Sequence, residues 1–129
     1  MTSRTLTPAD LGQIKAALEA RRGALRTEVR AQLEGSGDER VVGLRNRLRE
    51  TDDWAVADSL AELDIAGVRH ALGELSDVDA ALARMRDGRY GVCADCSEAI
   101  APARLAAYPT ATRCIECQQT WEARPGRTT

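Results

Sequence analysis

Four cysteines in two closely spaced pairs constrain this sequence more than any other feature. Cys93 and Cys96 form the first pair, Cys114 and Cys117 form the second, and 17 residues separate the pairs. The pattern C-x2-C-x17-C-x2-C is typical of zinc sites in which each pair supplies two thiolates from one tight turn. Four sulfur ligands complete the tetrahedral shell of Zn²⁺ and leave no position for water, so we expect one structural ion.

A redox-active pair and two disulfide bonds are the alternative interpretations of these cysteines. A redox C-x-x-C would need a thioredoxin-like βαβ context, which the sequence lacks. The stretch 1–10 is polar and the chain has no run of about 18 apolar residues, so we expect a cytoplasmic protein without a membrane span. Cytoplasmic cysteines stay reduced, which favours metal binding. His70 is far from the cysteines in sequence, and we expect it in a seam or on the surface.

Apolar residues recur at helical intervals over most of the remaining chain. Thr7, Pro8 and Asp10 have the pattern of a capped helix start. The stripe that follows on this first helix comprises Leu11, Ile14, Leu18, Leu25, Val29 and Leu33. Steps of three, four or seven residues place all of them on one helical face. Aromatic residues make up only 3% of the chain, which favours thin helix–helix seams over a thick globular core.

Two glycines interrupt this first helix. Gly35 and Gly37 each disfavour a helix by about 1 kcal/mol relative to alanine, so we expect a break or kink there. Ser36 and the acid three residues later have the spacing of a capping box, which would start a new segment. The first helix is therefore predicted as two segments along one line, over about 8–34 and 37–49.

A second long helix is predicted over about 54–87. Its apolar stripe comprises Ile65, Val68, Leu72, Leu75, Val78, Leu82 and Met85. Part of this stripe repeats every seven residues, as in a coiled-coil seam. Two long amphipathic helices joined by a short turn pack antiparallel. We therefore predict an all-α fold with a long antiparallel coiled-coil hairpin over 1–88, a small zinc-finger module over 89–121 and a flexible tail over 122–129.

Acidic residues gather at the turn between the two predicted helices. Glu50, Asp52 and Asp53 precede Trp54 and Ala55 there. In one interpretation, the acids cap the start of the second helix and favour its dipole. In the other, a slender hairpin presents carboxylates to Mg²⁺, which prefers oxygen ligands, or to a basic site on a partner. Both interpretations stay open on the residues alone.

The residues around the cysteines resemble the zinc finger of the DksA/TraR family. The chain reads GRYGVCADC from Gly88 to Cys96, and RLAAYPTA from Arg104 to Ala111. The Gly-x-Tyr-Gly lead-in, the Arg-Leu step and the Pro-x-Ala segment match the family in addition to the cysteines. Together with the preceding coiled coil, the resemblance covers residues 8–121.

This resemblance implies a bacterial transcription regulator of the stringent-response type, and not an enzyme. Members of the family bind RNA polymerase and insert the coiled coil through its secondary channel, where the tip approaches the catalytic Mg²⁺ and alters promoter open-complex stability. The family's tip motif is Asp-x-x-Asp-x-Ala. Asp53 and Ala55 match its second half, and the first position falls on Glu50, or Asp52 supplies that acid. The resemblance thus implies a functional tip of Glu50, Asp52, Asp53, Trp54 and Ala55.

Some members of the family act jointly with the alarmone ppGpp, through basic residues near the finger. The stretch 70–83 contains no lysine or arginine, so we do not expect this chain to bind ppGpp. Arg84, Arg86 and Arg89 follow directly after that stretch.

Two other functions stay open beside a polymerase regulator. A nucleic-acid-binding finger would need basic residues, but the net charge is −2 and the loop between the cysteine pairs carries only Arg104 and Arg113. We therefore expect no direct sequence-specific DNA binding. An adaptor whose helices bind another coiled coil would not need acids at the turn. We expect a monomer. We also expect no catalytic residues, because no nucleophile–base pair is visible in the sequence.

Overall fold

The computed structural model describes residues 6–124, which are mostly helical. The helices are α1 (Pro8–Glu34), α2 (Glu39–Thr51), α3 (Ala57–Glu62), α4 (Val68–Arg86), α5 (Pro102–Ala107) and α6 (Ile115–Glu122), with a 3₁₀ turn at Trp54–Val56. Within residues 6–124 the only extended pairing is an isolated bridge between Val92 and Ala99. The predicted all-α class is therefore confirmed. In the same residues, no helix is both long and apolar enough to cross a membrane.

The chain divides into two compact units. The first comprises the described residues up to Glu19 and from Val78 onward, and the second comprises Ala20–Asp77. The predicted boundary between a coiled coil over 1–88 and a finger over 89–121 stays a prediction. Of the predicted tail over 122–129, Glu122 ends α6, and residues 125–129 lie outside the described residues.

The start of α1 has the predicted capping geometry. The backbone N–H of Asp10 donates to Thr7 Oγ1 at 3.0 Å, and the backbone N–H of Thr7 donates to Asp10 Oδ2 at 3.1 Å. This reciprocal pair satisfies two backbone donors that the helix itself leaves without partners. Five of the six predicted stripe residues on α1 are buried, namely Ile14, Leu18, Leu25, Val29 and Leu33. The apolar pattern therefore identified the correct helical face.

Within the second unit, α1 and α4 pack in opposite directions. Arg21 Nε donates to Glu74 Oε2 at 2.5 Å, and the side chain of Gln32 lies against Gly67. The earlier residue of α1 thus contacts the later residue of the partner segment, and the later residue of α1 contacts the earlier one, which is antiparallel packing. The seam is formed by buried side chains from both helices: Leu25, Val29, Leu33, Val68, Ala71, Leu72 and Leu75. Burial of each large apolar side chain contributes about 1.5–3 kcal/mol.

The break after α1 is confirmed, but the prediction of two segments along one line is wrong. Arg49 forms an ion pair with Glu34, and Arg30 forms one with Asp52. Later residues of α2 therefore lie beside earlier residues of α1, so the chain reverses between 34 and 39 and α2 runs back along α1. The four residues between the two helices, 35–38, are not helical and give room for this reversal.

Arg45 explains why the reversal is stable. Its Nη1 donates to the carbonyls of Leu33, Glu34 and Ser36 at 3.2, 3.3 and 3.1 Å. The carbonyls of Leu33 and Glu34 belong to the last turn of α1, where a helix lacks internal donors and where a positive charge is favourable, and that of Ser36 lies in the loop just after it. The guanidinium therefore caps α1 from α2.

The cap of α2 also differs from the prediction of a Ser36 capping box. Asp38 is the N-cap, and its side chain accepts from the backbone N–H of Arg40 at 2.9 Å. Ser36 Oγ accepts from the backbone N–H of Asp38 at 3.2 Å. Ser36 thus shapes the loop, while the acid two residues later starts the helix, in accord with the strong N-cap preference of aspartate.

The prediction of one continuous helix over 54–87 is wrong. The structure replaces it by the 3₁₀ turn, α3 and α4, with a non-helical break over 63–67. Asp64 and Gly67 in this break have φ values of +52° and +81°. A left-handed residue cannot continue a right-handed helix, and glycine reaches this conformation without the strain that a Cβ imposes. The apolar period continues through the break, which is why periodicity alone did not reveal it.

Candidate metal centre and acidic turn

The first cysteine pair lies in a tight turn that backbone hydrogen bonds close. The N–H of Cys93 donates to the carbonyl of Glu98 at 2.8 Å, and the N–H of Ser97 donates to the carbonyl of Cys93 at 3.0 Å. Ser97 has a φ of +65°, so the chain turns sharply just after Cys96. This turn brings the sulfur of Cys96 back toward that of Cys93.

The second cysteine pair lies at the start of α6. Cys114 is the N-cap of this helix, and its Sγ accepts from the backbone N–H of Cys117 at 3.4 Å. Because α6 begins at the next residue, Cys117 lies in the first helical turn. A further backbone hydrogen bond, from the N–H of Ala94 to the carbonyl of Thr112 at 2.8 Å, ties the segment of the first pair to that of the second.

The four sulfur atoms converge on one point. All four Sγ atoms of Cys93, Cys96, Cys114 and Cys117 lie within 4.8 Å of one another, and the Cys96–Cys114 separation is 3.9 Å. Zinc–sulfur bonds of about 2.3 Å in a tetrahedron imply sulfur–sulfur edges of about 3.8 Å. The cluster therefore fits one structural zinc ion, as predicted. Among the described residues this is the one group of three or more side chains that could hold a metal ion, and His70, which is exposed on α4, is not a member of it.

Backbone donors prepare this cluster for negative charge. Burial raises the pKa of the Cys93 thiol, but backbone N–H donors from Cys96, Cys114 and Asp95 outweigh burial and bring the pKa to about 6. Hydrogen bonds with the thiols of Cys114 and Cys96 raise the pKa of Cys117. These backbone donors favour the thiolate form of Cys93, which is the form that zinc binding requires.

Charged and aromatic side chains brace the centre from outside. Arg113 Nε donates to Asp95 Oδ2 at 2.8 Å, and its guanidinium lies 4.9 Å from the ring centroid of Trp121. The hydroxyl of Tyr90 donates to the carbonyl of Pro109 at 2.7 Å. From the sequence, Arg113 was interpreted only as a positive charge. Its position directly before Cys114, with Asp95 directly before Cys96, is the signal that could have indicated the pair.

Asp52 and Asp53 occupy different structural positions in the acidic turn. Asp52 ends α2 with a φ of +51°, and its Oδ1 accepts from Trp54 Nε1 at 2.8 Å and pairs with Arg30. Asp53 is the N-cap of the 3₁₀ turn, and its Oδ1 accepts from the backbone N–H of Ala55 at 3.0 Å. The capping interpretation of the acids therefore describes the geometry of Asp53. Whether these residues also act on a partner stays a prediction.

Trp54 lies against α1 within the second unit. The guanidinium carbons of Arg26 and Arg30 lie 5.1 and 5.3 Å from its ring centroid, within the range of cation–π attraction. The indole is half-buried, while Glu50 and Ala55 are exposed. The sequence analysis did not single out these two arginines. Each directly follows a stripe residue of α1 and so flanks the buried seam.

The cysteine-containing part of this chain matches a known zinc-finger family. Residues 88–123 match the family described as prokaryotic dksA/traR C4-type zinc finger. The RNA polymerase-binding transcription factor DksA of Caulobacter vibrioides is 48% identical over 50 residues, which are 39% of this chain and 35% of that protein. An uncharacterized 8.2 kDa protein of Escherichia phage P2 is 54% identical over 33 residues, 26% of this chain and 45% of that protein. The matched region thus spans less than half of these curated relatives.

A solved structure is similar over most of the chain. The transcription factor DksA2 from Pseudomonas aeruginosa superposes with a TM-score of 0.62 and is 27% identical in sequence. The match covers 93% of this chain and 88% of that one. The similarity therefore includes the helices that precede the cysteine cluster as well as the cluster itself.

Proposed function

We propose, from the premise that this chain is a DksA-like protein with a C4-type zinc finger of the DksA/TraR kind, that it binds bacterial RNA polymerase and regulates transcription. The observation that carries the proposal is the combination of two similarities in one chain. A stretch of 50 residues is 48% identical to a protein named for RNA polymerase binding, and the described fold matches a DksA2 over 93% of this chain.

In its finer form, the proposal has the chain reach the polymerase through the secondary channel, with residues 50–55 acting near the catalytic Mg²⁺. Glu50 is exposed. Asp53 uses Oδ1 to accept the backbone hydrogen bond of its cap, and its Oδ2 remains available as a ligand. Carboxylate oxygens are the ligands that Mg²⁺ prefers. The expected output is a change in the lifetime of promoter open complexes.

The role of zinc in this function is structural. Cys93, Cys96, Cys114 and Cys117 would hold the ion, and a closed four-sulfur shell supplies folding energy rather than a reactive position. The proposal includes no catalytic residue, no direct reading of a DNA sequence and no requirement for ppGpp. It places a monomer in the cytoplasm, where the polymerase is found.

Co-purification with RNA polymerase followed by in vitro transcription tests the proposal. Zinc-loaded full-length protein should bind the polymerase and change open-complex lifetime at a ribosomal promoter. A promoter with a long-lived open complex serves as the control, because its output should respond less. Failure to bind the polymerase would favour an adaptor that acts on other coiled coils. Binding without any effect on transcription would retain the partner and contradict the regulatory role.

A further inference from the structure

We propose that Arg30, together with Arg26, positions the acidic turn by holding Trp54 and neutralising Asp52. We term these four residues the clasp. The consequence is that the charge of Asp52 is balanced within the turn, and the acids without an ion pair, in the part of the chain that the structure describes, are its neighbours at positions 50 and 53. This inference rests on the proposed function of the turn and adds the residues that orient it.

Three contacts fix the indole of Trp54. The guanidinium carbons of Arg26 and Arg30 lie 5.1 and 5.3 Å from the ring centroid. The indole Nε1 donates to Asp52 Oδ1 at 2.8 Å. A flat ring held by two cations and one hydrogen bond has little rotational freedom, so the backbone that carries it is also fixed. Trp54 directly follows Asp53, and its placement therefore determines where Asp53 lies.

The same contacts neutralise Asp52. Its Oδ1 accepts from Trp54 Nε1 and forms an ion pair with Arg30. Its backbone is anchored as well, because its N–H donates to the carbonyl of Leu48 at 3.1 Å. A carboxylate that is paired with a guanidinium attracts an external cation much less than an unpaired one does.

The neighbouring acids lack such a partner. Glu50 is exposed near the C-terminal end of α2, and Asp53 is half-buried with its Oδ1 on the N–H of Ala55. In the described part of the chain, neither of these two carboxylates forms an ion pair with a basic side chain. Their charge is therefore directed at the surroundings of the turn, which is what an action on a cation or a basic partner site requires.

Arg26 belongs to the clasp because of the ring. Its Nε is buried and has no hydrogen-bond partner within the described residues. Its contact with the face of Trp54 is therefore the attraction that accounts for its position.

Arg30, by contrast, lines a cavity of about 310 Å³ between α1 and α2 together with Asp52 and Arg49. The side chains of the ion pair between Arg30 and Asp52 are 40% and 59% exposed, so salt in solution screens this pair.

Fluorescence of Trp54 reports on the clasp without any polymerase. In a Trp121→Phe background, Trp54 is the single tryptophan of the chain. Arg30→Ala should raise acrylamide quenching of its emission about twofold, because the ring loses one of the two guanidinium groups that lie over it. Arg30→Lys should give an intermediate value, since lysine keeps the charge and lacks the planar fork. Arg47→Ala, which removes an exposed arginine from α2, is the matched control and should leave quenching unchanged. Equal quenching in Arg30→Ala and the parent protein would overturn the clasp.

Measurements of transcription distinguish a positioning role of Arg30 from a purely structural one. We expect Arg30→Ala to lower the maximal effect on open-complex lifetime about threefold while polymerase affinity stays within about twofold of wild type, because the turn is misplaced and not removed. Arg30→Lys should recover part of the effect. If Arg30→Ala frees the indole but regulates like wild type, the positioning role is wrong and the proposed function stands. If the wild-type protein itself does not alter transcription, the proposed function is wrong, and with it the assignment of the outward acids.

Discussion

Arg113 donates from Nε to the carboxylate of Asp95 at 2.8 Å, and this ion pair joins the two segments that carry the cysteine pairs. Asp95 directly precedes Cys96 in the chain, and Arg113 directly precedes Cys114. The same guanidinium lies on the ring of Trp121 in α6. One side chain therefore braces both halves of the metal centre from outside its sulfur shell.

We predict that Arg113→Gln weakens zinc binding about tenfold, because groups that orient metal ligands commonly contribute that much to affinity. Glutamine removes both the ion pair with Asp95 and the stack on Trp121. Asp95→Asn should have a smaller effect, since the stack remains. Competition for zinc with a chromophoric chelator measures both variants. Arg124→Gln, at an exposed position beyond α6, is the control. Unchanged zinc affinity in Arg113→Gln would show that the ion pair does not support the site.

Removal of one sulfur should abolish the metal centre and spare much of the helical seam. We predict that Cys114→Ala lowers the zinc content from about one ion per chain to near zero at low metal concentration, because a closed four-sulfur site provides its stability as a unit. Metal analysis of the purified variant measures this loss. Far-UV circular dichroism should still show strong helix signal, since α1 and α4 bury their own apolar stripe. Retention of the full zinc content would contradict the four-cysteine site.

The cysteine cluster and the start of α1 could be predicted because both depend on residues close in sequence. Two C-x-x-C turns carry their geometry within four residues each. Thr7 and Asp10, three residues apart, each accept a hydrogen bond from the backbone N–H of the other. The buried face of α1 followed from its period for the same reason, since a helix translates spacing directly into direction.

The reversal after α1 and the break before α4 could not be predicted in this way. The reversal depends on Arg45 reaching the end of another helix, a contact that no local pattern encodes. The break depends on Gly67, whose left-handed conformation matters only because of where the chain turns. The clasp is of the same kind, because Trp54 meets Arg26 only after α2 has run back along α1. Local propensity predicts elements, and tertiary contacts decide their directions.

Two glycines of the second unit should respond oppositely to alanine. Gly67 has a φ of +81°, so Gly67→Ala should destabilise the protein by about 1 kcal/mol through backbone strain. An added Cβ would also lie 3.0 Å from Gln32 Nε2, although that side chain is flexible. Gly73 lies inside α4 with nothing within 4 Å of an added Cβ, so Gly73→Ala should stabilise by up to about 1 kcal/mol. Chemical denaturation of both variants measures the difference. Equal effects of the same sign would contradict the break at Gly67.

Alkaline pH should weaken the first unit through Tyr90. Burial raises the pKa of its hydroxyl from 10.0 to about 12. Because the folded pKa lies above the unfolded one, the stability contributed by the neutral hydroxyl is fully present below pH 10.0 and is lost as the pH rises through about 12. Absorbance at the tyrosinate band during titration should show a step near pH 12 that Tyr90→Phe removes and Tyr108→Phe retains. A wild-type titration without that late step would contradict the burial of the hydroxyl.

Tyr90→Phe also tests the hydrogen bond to Pro109. Phenylalanine keeps the ring and removes the donor, so the carbonyl of Pro109 loses its partner at 2.7 Å. We expect a loss of about 1 kcal/mol at neutral pH, the usual net contribution of such a bond. Thermal unfolding of the zinc-loaded variant measures this loss.

Replacement of Asp53 by asparagine separates a cap from an acting carboxylate. Asparagine and aspartate are comparable N-caps, so the backbone N–H of Ala55 keeps its acceptor and the melting temperature should stay near the wild-type value. The variant loses only the negative charge. If that charge acts on the polymerase, Asp53→Asn should strongly weaken regulation of open-complex lifetime. Polymerase affinity should change little, because a single surface ion pair contributes at most about 1 kcal/mol.

Asp53→Ala is the matched comparison, since it removes the charge and the cap together. It should lose regulation to the same extent as Asp53→Asn and in addition lose about 1 kcal/mol of stability, the usual contribution of an N-cap side chain. Regulation by Asp53→Asn at the wild-type level, combined with destabilisation of Asp53→Ala alone, would show that Asp53 is only a cap. Both variants lose the charge, and only Asp53→Ala loses the cap. A difference in stability between them therefore reports on the cap, and a loss of regulation common to both reports on the charge.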